Sequence, residues 1–256
     1  MIDKYLHTTS ELLGKFEPIS LAEMDCVKLM DRTDVKFILS FNKLEPVLKA
    51  ISDHYSVLTI NRLNVFSYRT DYFDTPNLDM YFDHHNGKLN RFKIRQREYI
   101  ESNLSFLEVK FKSNKGRVIK DRIERTYTDQ NAFSGFINKH TPYNPADLNL
   151  KLINLFNRFT LVDKGMRERV TIDFNLSFAN TVRELLFRGL VIIEVKQNKA
   201  DKQSVVFNVL KNNAIRPASI SKYCLGMSML NQNTKFNNFK KTILMINKIS
   251  HVELSA

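Results

Sequence analysis

"RFKIRQREY", residues 91–99, is the stretch whose reading decides the fold. Arg91, Lys93, Arg95 and Arg97 fall at every second position, with Phe92 and Ile94 between them. A period of two is the mark of a β-strand, whose successive side chains point to opposite faces. Four cations then share one face, and the other face is largely apolar. Like charges side by side repel. Such a face is tolerable only in open water or around an anion.

The same rule recurs outward along the chain. Glu108, Lys110 and Lys112 oppose Leu107, Val109 and Phe111; Lys120, Arg122 and Glu124 oppose Ile119 and Ile123. Arg167, Arg169, Thr171 and Asp173 oppose Val170, Ile172 and Phe174; Arg32, Asp34 and Lys36 oppose Val35 and Phe37. Three arrangements give this pattern. One is an antiparallel sheet with a wet side. Its solvated face ordinarily mixes Thr, Ser, Gln, Lys and Glu, whereas here arginines cluster with few acids. A second is a membrane barrel, polar inside; the intervening helical stretches and the absence of an apolar leader argue against it. The third is an α+β fold: a closed antiparallel β-barrel, or tunnel, with a basic interior, flanked by helices. Packed cations there require an anion among them.

The formal net charge of +12 favours polyanionic partners: nucleic acid, nucleotides, polyphosphate or anionic lipid. Two cysteines, Cys26 and Cys224, form neither a disulfide framework nor a zinc pattern. With only 7 glycines the chain offers no glycine-rich phosphate loop. No apolar run reaches the roughly 20 residues of a membrane helix, and "MIDKYLHTTSELLGKF" lacks a signal-peptide core. A cytoplasmic setting is expected. The chain reads as one unit over 1–256, with a core at 28–230 and a basic tail at 231–256.

Helices are expected over "SELLGKF", "SLAEMDCVKLM" and "KLEPVLKAISDHY", the last opened by a capping box of Asn42 and Glu45. Further helices are expected in "TPNLDMYFDHHNG", ending at Gly87, and over "QNAFSGFINKH", "NPADLNLKLINLFN", "KQSVVFNVLKN", "SKYCLGMSML" and "FNNFKKTILMINKIS". Strands are expected in "DVKFILS", "VFSYRTDYFDT", "SFLEVKF", "RVIKDRIERTY" and "LVIIEVKQN", with a hairpin of "RFTLVD" and "MRERVTIDFNL". A faint internal echo links Arg95, Arg97, Glu108 and Lys110 to Arg167, Arg169, Glu194 and Lys196, as a closed sheet of two similar halves would.

Alternate residues on a strand stand roughly 7 Å apart. Guanidinium and ammonium groups at that pitch can grip a row of phosphates. Glu108, Glu124 and Glu194 are candidate ligands for a hard divalent cation shared with phosphate oxygens, or else ordinary ion-pair partners. Cys224 reads as a buried space-filler, and His84 with His85 as surface residues.

In order, "DRTDVKF", "YFDTPNLDMYFDHHNGKLNRFKIRQREY", "FLEVKFKSNKGRVIKDR", "NRFTLVDKGMRERVTIDFN", "VIIEVK" and "SKYCLGM" resemble the VTC-type polyphosphate polymerase domain, a triphosphate tunnel metalloenzyme. The resemblance runs from about Asp31 to Met227. It implies a basic antiparallel tunnel that binds ATP and inorganic polyphosphate and uses Mn2+ or Mg2+. Carried over motif by motif, it implies phosphate-gripping roles for Lys36, Arg95, Arg97, Lys110, Lys120, Arg158, Arg169 and Lys222, and a metal carboxylate at Glu194. Arg158 and Lys222 rest on the resemblance alone. Arg91, Lys93, Arg122, Arg167 and Lys196 carry weaker assignments from shared faces and the echo.

The implied activity is transfer of the γ-phosphate of ATP to a growing polyphosphate chain. Fungal relatives add a phosphate-sensing domain and membrane helices, for which this sequence offers no counterpart. A separate membrane protein is then a candidate partner, and the tail a candidate contact with the inner membrane face; packing on the barrel or plugging its mouth is the plainer expectation for the tail. The alternatives are hydrolysis of triphosphate or polyphosphate, nucleotide cyclisation, and a non-enzymatic polyanion or RNA module. Phe92 and Phe111 fall opposite the cations, which disfavours base stacking and hence RNA.

Overall fold

The computed structural model describes residues 2–25, 32–198, 204–231 and 234–255. Cys26 and the second half of "SLAEMDCVKLM" lie outside the described residues. In chain order the strands are β1 (Glu17–Ile19), β2 (Arg32–Ser40), β3 (Tyr55–Leu58), β4 (Phe66–Asp74), β5 (Arg91–Tyr99), β6 (Leu104–Lys112), β7 (Val118–Glu124), β8 (Asn149–Asp163), β9 (Glu168–Ala179), β10 (Glu184–Arg188), β11 (Leu190–Asn198) and β12 (His251–Ser255). The helices are α1 (Ile2–Leu13), α2 (Leu21–Asp25), α3 (Leu44–Ile51), α4 (Asp79–His85), α5 (Gln130–His140), α6 (Val205–Asn212), α7 (Lys222–Leu230) and α8 (Lys240–Ile249).

The opening stretch is β5, with the bounds its alternation requires. Hydrogen bonding runs antiparallel along β2–β11–β9–β8–β4–β5–β6–β7. β10 and β12 extend from β9, and β3 joins β8 and carries the parallel β1. In a flat sheet, β6 and β11, five strands apart, would be separated by roughly 24 Å. Yet Lys110 on β6 feels the charges of Glu194 on β11 and of Lys36 and Asp34 on β2. The sheet is therefore curled, with its charged face inward.

The expected closed barrel is corrected here. Among the described residues no strand pairing joins β7 to β2. The outer edge of β2 instead meets the chain near 217, where Phe37 bridges Pro217 and the Ala218 N–H donates to the Lys36 carbonyl at 2.8 Å. The result is tunnel-like but not closed by hydrogen bonds.

The alternating apolar residues turn outward, under helices. Phe37, Val170, Ile172, Val191, Ile193 and Val195 pack against α1, α3 and α6. Ile94, Leu107 and Val109 pack under Phe133, Phe136 and Ile137 of α5. Each such fully buried side chain contributes on the order of 1.5–3 kcal/mol. The charged face has its own apolar end. There Ile38, Tyr72, Leu152, Phe178 and Ile192 receive Tyr223, Leu225 and Met227, so α7 fills one end of the hollow. Gly226 permits this approach: a Cβ on it would lie 2.6 Å from both Leu152 and Phe178. Asp74, buried at the end of β4, accepts from the N–H groups of Thr75, Met80 and Tyr81 and from the Tyr223 hydroxyl, tying α4 to α7.

Three local expectations differ, and the plainer one for the tail holds. "NPADLNLKLINLFN" is a short 3-10 turn, Pro145–Asp147, followed by the 15-residue β8. Asn42 and Glu45 form no capping box, because a 3-10 turn over Phe41–Lys43 makes Lys43 the N-cap of α3, without a side-chain bond. His85 is buried against Asn238 and the Phe239 ring, and burial pushes the half-buried His84 down to about 3, so neither is a plain surface residue. The tail helix α8 packs on the α4–α7 end through Ile243, Met245 and Ile246.

Candidate active site in the curled sheet

The site follows from β5 and its neighbours. The sheet register sets Arg95 opposite Glu108 and Arg97 opposite Phe106 on β6, and Lys110 opposite Lys120 on β7. Arg95 Nε lies 2.6 Å from Glu108 Oε2, and Lys120 holds the other carboxylate oxygen. Burial alone would raise the Glu108 carboxyl, but Arg95, Arg97 and Lys120 outweigh it and hold it at about 2. Across the hollow, Arg158 on β8 grips Asp173 on β9 with two bonds of 2.5 and 2.8 Å. Lys222, the first residue of α7, comes within 2.9 Å of the same carboxylate. Glu194 on β11 sits 3.3 Å from Lys36 and 3.1 Å from Lys196. Arg158 and Lys222 keep Asp173 far below the usual carboxylate range against the opposing effect of burial, and Lys196, Lys36 and Arg158 do the same for Glu194.

Cations outnumber these three carboxylates. Burial, reinforced by neighbouring cations, depresses the amines of Lys93, Lys120 and Lys196 to about 8 and that of Lys222 to about 7, even where a carboxylate opposes it. Arg97 is the extreme case. It is only 8% exposed and forms no ion pair among the described residues. Its Nε donates to Thr70 Oγ1 at 3.3 Å, its guanidinium lies over the rings of Tyr68 and Phe156, and Arg95 and Arg158 repel it. Glu108 attracts it without pairing, and burial with these cations still holds its guanidinium below the ordinary value.

Lys36, Lys93, Arg95, Arg97, Lys110, Lys120, Arg158, Lys196 and Lys222 thus face one hollow with Glu108, Asp173 and Glu194. Lys93 joins through its 2.9 Å bond to Ser221 Oγ, the N-cap of α7. Arg169 is placed on the same face, opposite Lys196 in the register. Arg91 turns back to the Lys88 carbonyl at 2.7 Å. Arg122 is exposed and lies 4.9 Å over the Phe106 ring. Arg167 sits in the turn ahead of β9, 48% exposed and paired with Asp163. Glu124 is exposed at the end of β7. The internal echo is not a structural repeat: Arg95 meets Glu108 directly, whereas Arg169 meets Lys196, and Glu194 faces Thr171.

Among the described residues no three His, Cys, Asp or Glu side chains converge on one point. Glu108, Glu124 and Glu194 therefore do not build a metal cage. Glu194 by itself fits a cation that shares phosphate oxygens, since small divalent ions commonly take one or two carboxylates plus substrate phosphates. Its register partner Thr171 carries a buried hydroxyl without a hydrogen-bond partner, a further oxygen beside that carboxylate. Cys224 is 1% exposed and burial raises its thiol, as a space-filler requires.

Sequence reasoning placed Asp173 on the inner face but gave it no part in the site. It gave none to Tyr68 and Phe156. Phe156 precedes Arg158 by two residues, the spacing that puts both on one face. Phe92 and Phe111 do point away from the cations, with rings 4.6 Å apart. Tyr68 and Phe156 nonetheless stand on the charged face under Arg97, so the placement of Phe92 and Phe111 does not by itself disfavour base stacking.

A curled antiparallel sheet of this fold is shared by solved structures of low sequence identity. A candidate adenylyl cyclase from Hippeastrum, described as having a dominant triphosphatase activity, superposes with a TM-score of 0.51 at 14% identity, over 78% of this chain and 96% of that one. A candidate adenylate cyclase from Bacillus halodurans gives 0.49 at 13% identity, over 75% and 96%. The chain belongs to the VTC domain family, whose model matches residues 31–231. Among curated proteins none matches.

Proposed function

We propose that the protein is a metal-dependent polyphosphate polymerase that transfers the γ-phosphate of ATP to the end of an inorganic polyphosphate chain. The observation that carries this reading is the under-neutralised cation cluster around Arg97, in a chain of the VTC domain family. A terminal phosphate oxygen of the chain attacks the γ-phosphorus. A new P–O bond forms, the β–γ bridging P–O bond breaks, and ADP leaves with its electron pair.

A phosphate oxyanion needs no general base. This suits a site whose carboxylates are locked in their ionised forms by cations. Arg95, Arg97, Arg158 and Lys222 align the two polyanions and offset their mutual repulsion. Lys36, Lys110, Lys120 and Arg169 extend the grip along the strands. Glu194 is the residue to hold Mn2+ or Mg2+, which when bound would draw negative charge from the reacting phosphates. Glu108 holds Arg95 and Lys120 in place.

Incubation with ATP and manganese, followed by separation of the products, tests the reading. ADP with long chains supports it. Phosphate without chains identifies a hydrolase of the same fold, and unchanged ATP with salt-sensitive RNA binding identifies a polyanion module.

A further inference from the structure

A row of aromatic rings crosses the charged face beside Arg97, from Phe156, which lies under the Lys222 ammonium of α7, to Phe106 on β6. Phe156 on β8 stacks on Tyr68 of β4, with centroids 5.1 Å apart and planes at 8°. Tyr68 meets Tyr99 of β5 at 5.0 Å, and Tyr99 meets Phe106 of β6 edge-on at 5.9 Å. Tyr99, with its register neighbours Tyr68 and Phe156, lies two residues and so roughly 7 Å beyond Arg97, whereas Phe106 is the register partner of Arg97 itself, so the row runs diagonally past that arginine.

Buried aromatics ordinarily fill cores. Tyr99 and Phe106 do not: both are half-buried, and neither joins any of the hydrophobic clusters. Leu104, next on that face, is 40% exposed. The row is also tied to the phosphate seat, because Arg97 lies over Tyr68 at 5.7 Å and Arg122 over Phe106 at 4.9 Å.

We infer that Tyr68, Tyr99 and Phe106, with the Arg122 guanidinium, form a subsite for the nucleobase of a nucleoside triphosphate whose phosphates lie on Arg95 and Arg97. The inference rests on the phosphate-transfer reading above and extends it. Both substrates in that reading need the cation ladder, and only the nucleotide carries a flat ring. An aromatic layer beside the ladder therefore distinguishes donor from chain. Aromatic faces and guanidinium planes accept any base, so the subsite selects for a base more than for its identity.

The test is calorimetric titration of the full chain with ATP and, separately, with inorganic tripolyphosphate, for the parent protein and for Tyr99→Leu and Phe106→Leu. Leucine keeps apolar bulk and removes the π face. The expected result is a roughly 5- to 30-fold loss of ATP affinity with tripolyphosphate affinity unchanged. Equal losses for both ligands would show that the rings only support the arginines, and unchanged affinities would show that they touch no base; either overturns the inference and leaves the phosphate seat intact. If the parent protein binds neither triphosphate, the underlying reading fails as well. Circular dichroism melts show whether each variant is folded, and Tyr99→Phe, which keeps the ring, is expected to retain ATP affinity.

Discussion

The Arg97 guanidinium lies 5.7 Å above the centre of the Tyr68 ring, and no carboxylate among the described residues pairs with it. Sixty-one residues along the chain, Arg158 shares that ring at 5.2 Å but is clamped to Asp173. The two arginines share one ring, but Arg158 is clamped to a carboxylate and Arg97 is not.

Arg97→Met should therefore leave the empty protein as stable as before, or more so, because repulsion from Arg95 and Arg158 is relieved. It should weaken tripolyphosphate binding by roughly tenfold to a hundredfold, the size of a lost charge-assisted hydrogen bond. Thermal melts and calorimetry check both. A large drop in melting temperature would assign Arg97 a structural role.

Arg158→Ala should do the opposite in the empty protein. It strips the buried Asp173 of its bidentate partner and leaves only Lys222. Breaking a buried pair costs on the order of 3–5 kcal/mol. Partial exposure of Arg158 makes about 3 kcal/mol the expected loss in denaturant unfolding, and an unchanged midpoint would contradict the pairing.

Glu194→Gln should abolish manganese-dependent turnover while tripolyphosphate still binds, since the variant removes a carboxylate and retains the surrounding cations. A manganese titration of the rate decides, and normal manganese dependence would remove Glu194 from the metal role.

The pH dependence follows from the depressed lysines. Lys93, Lys120 and Lys196 titrate at about 8 and Lys222 at about 7, against an ordinary value of 10.5 in the unfolded chain. Below about pH 7 these amines are charged in both states and the burial cost is fully felt. From about pH 7 to 10 the unfolded chain binds more protons, so stability of the empty protein should rise with pH. Bound tripolyphosphate favours the charged amines, so binding at about pH 8 should take up protons and weaken as pH rises. Melting curves across this range, with and without ligand, check the sign; a falling melting temperature in the empty protein would contradict the buried-amine account.

Gly226→Ala should destabilise by about 1–3 kcal/mol, because the new methyl enters the Leu152 and Phe178 side chains. Displacing α7 also moves Lys222, so triphosphate affinity should fall with it. Unchanged stability and affinity would place α7 elsewhere.

Much of this was legible in the sequence because a period of two survives wherever one face is buried. Arg91–Tyr99 is read from its alternation with no knowledge of its neighbours, and so is the outward packing of Ile94, Leu107 and Val109. The long β8 was not legible. A register shift between Leu155 and Asn157 breaks its alternation, and Leu148, Leu152 and Leu155 then imitate a helical stripe. The pairings that shape the site were out of reach for a different reason. Asp173 meets Lys222 across 49 residues of chain, and only the curl of the sheet and the seating of α7 bring them together. Tyr68 and Phe156 are open to the same period-two reading as the cations.

The most direct measurement of the central claim is a crystal structure of the protein with a non-hydrolysable ATP analogue and manganese. The account predicts triphosphate density within hydrogen-bonding distance of Arg95, Arg97, Arg158 and Lys222, inside the curled sheet, with the metal between phosphate and Glu194. Triphosphate bound outside that hollow, or an opened sheet whose arginines extend into bulk water, would contradict it.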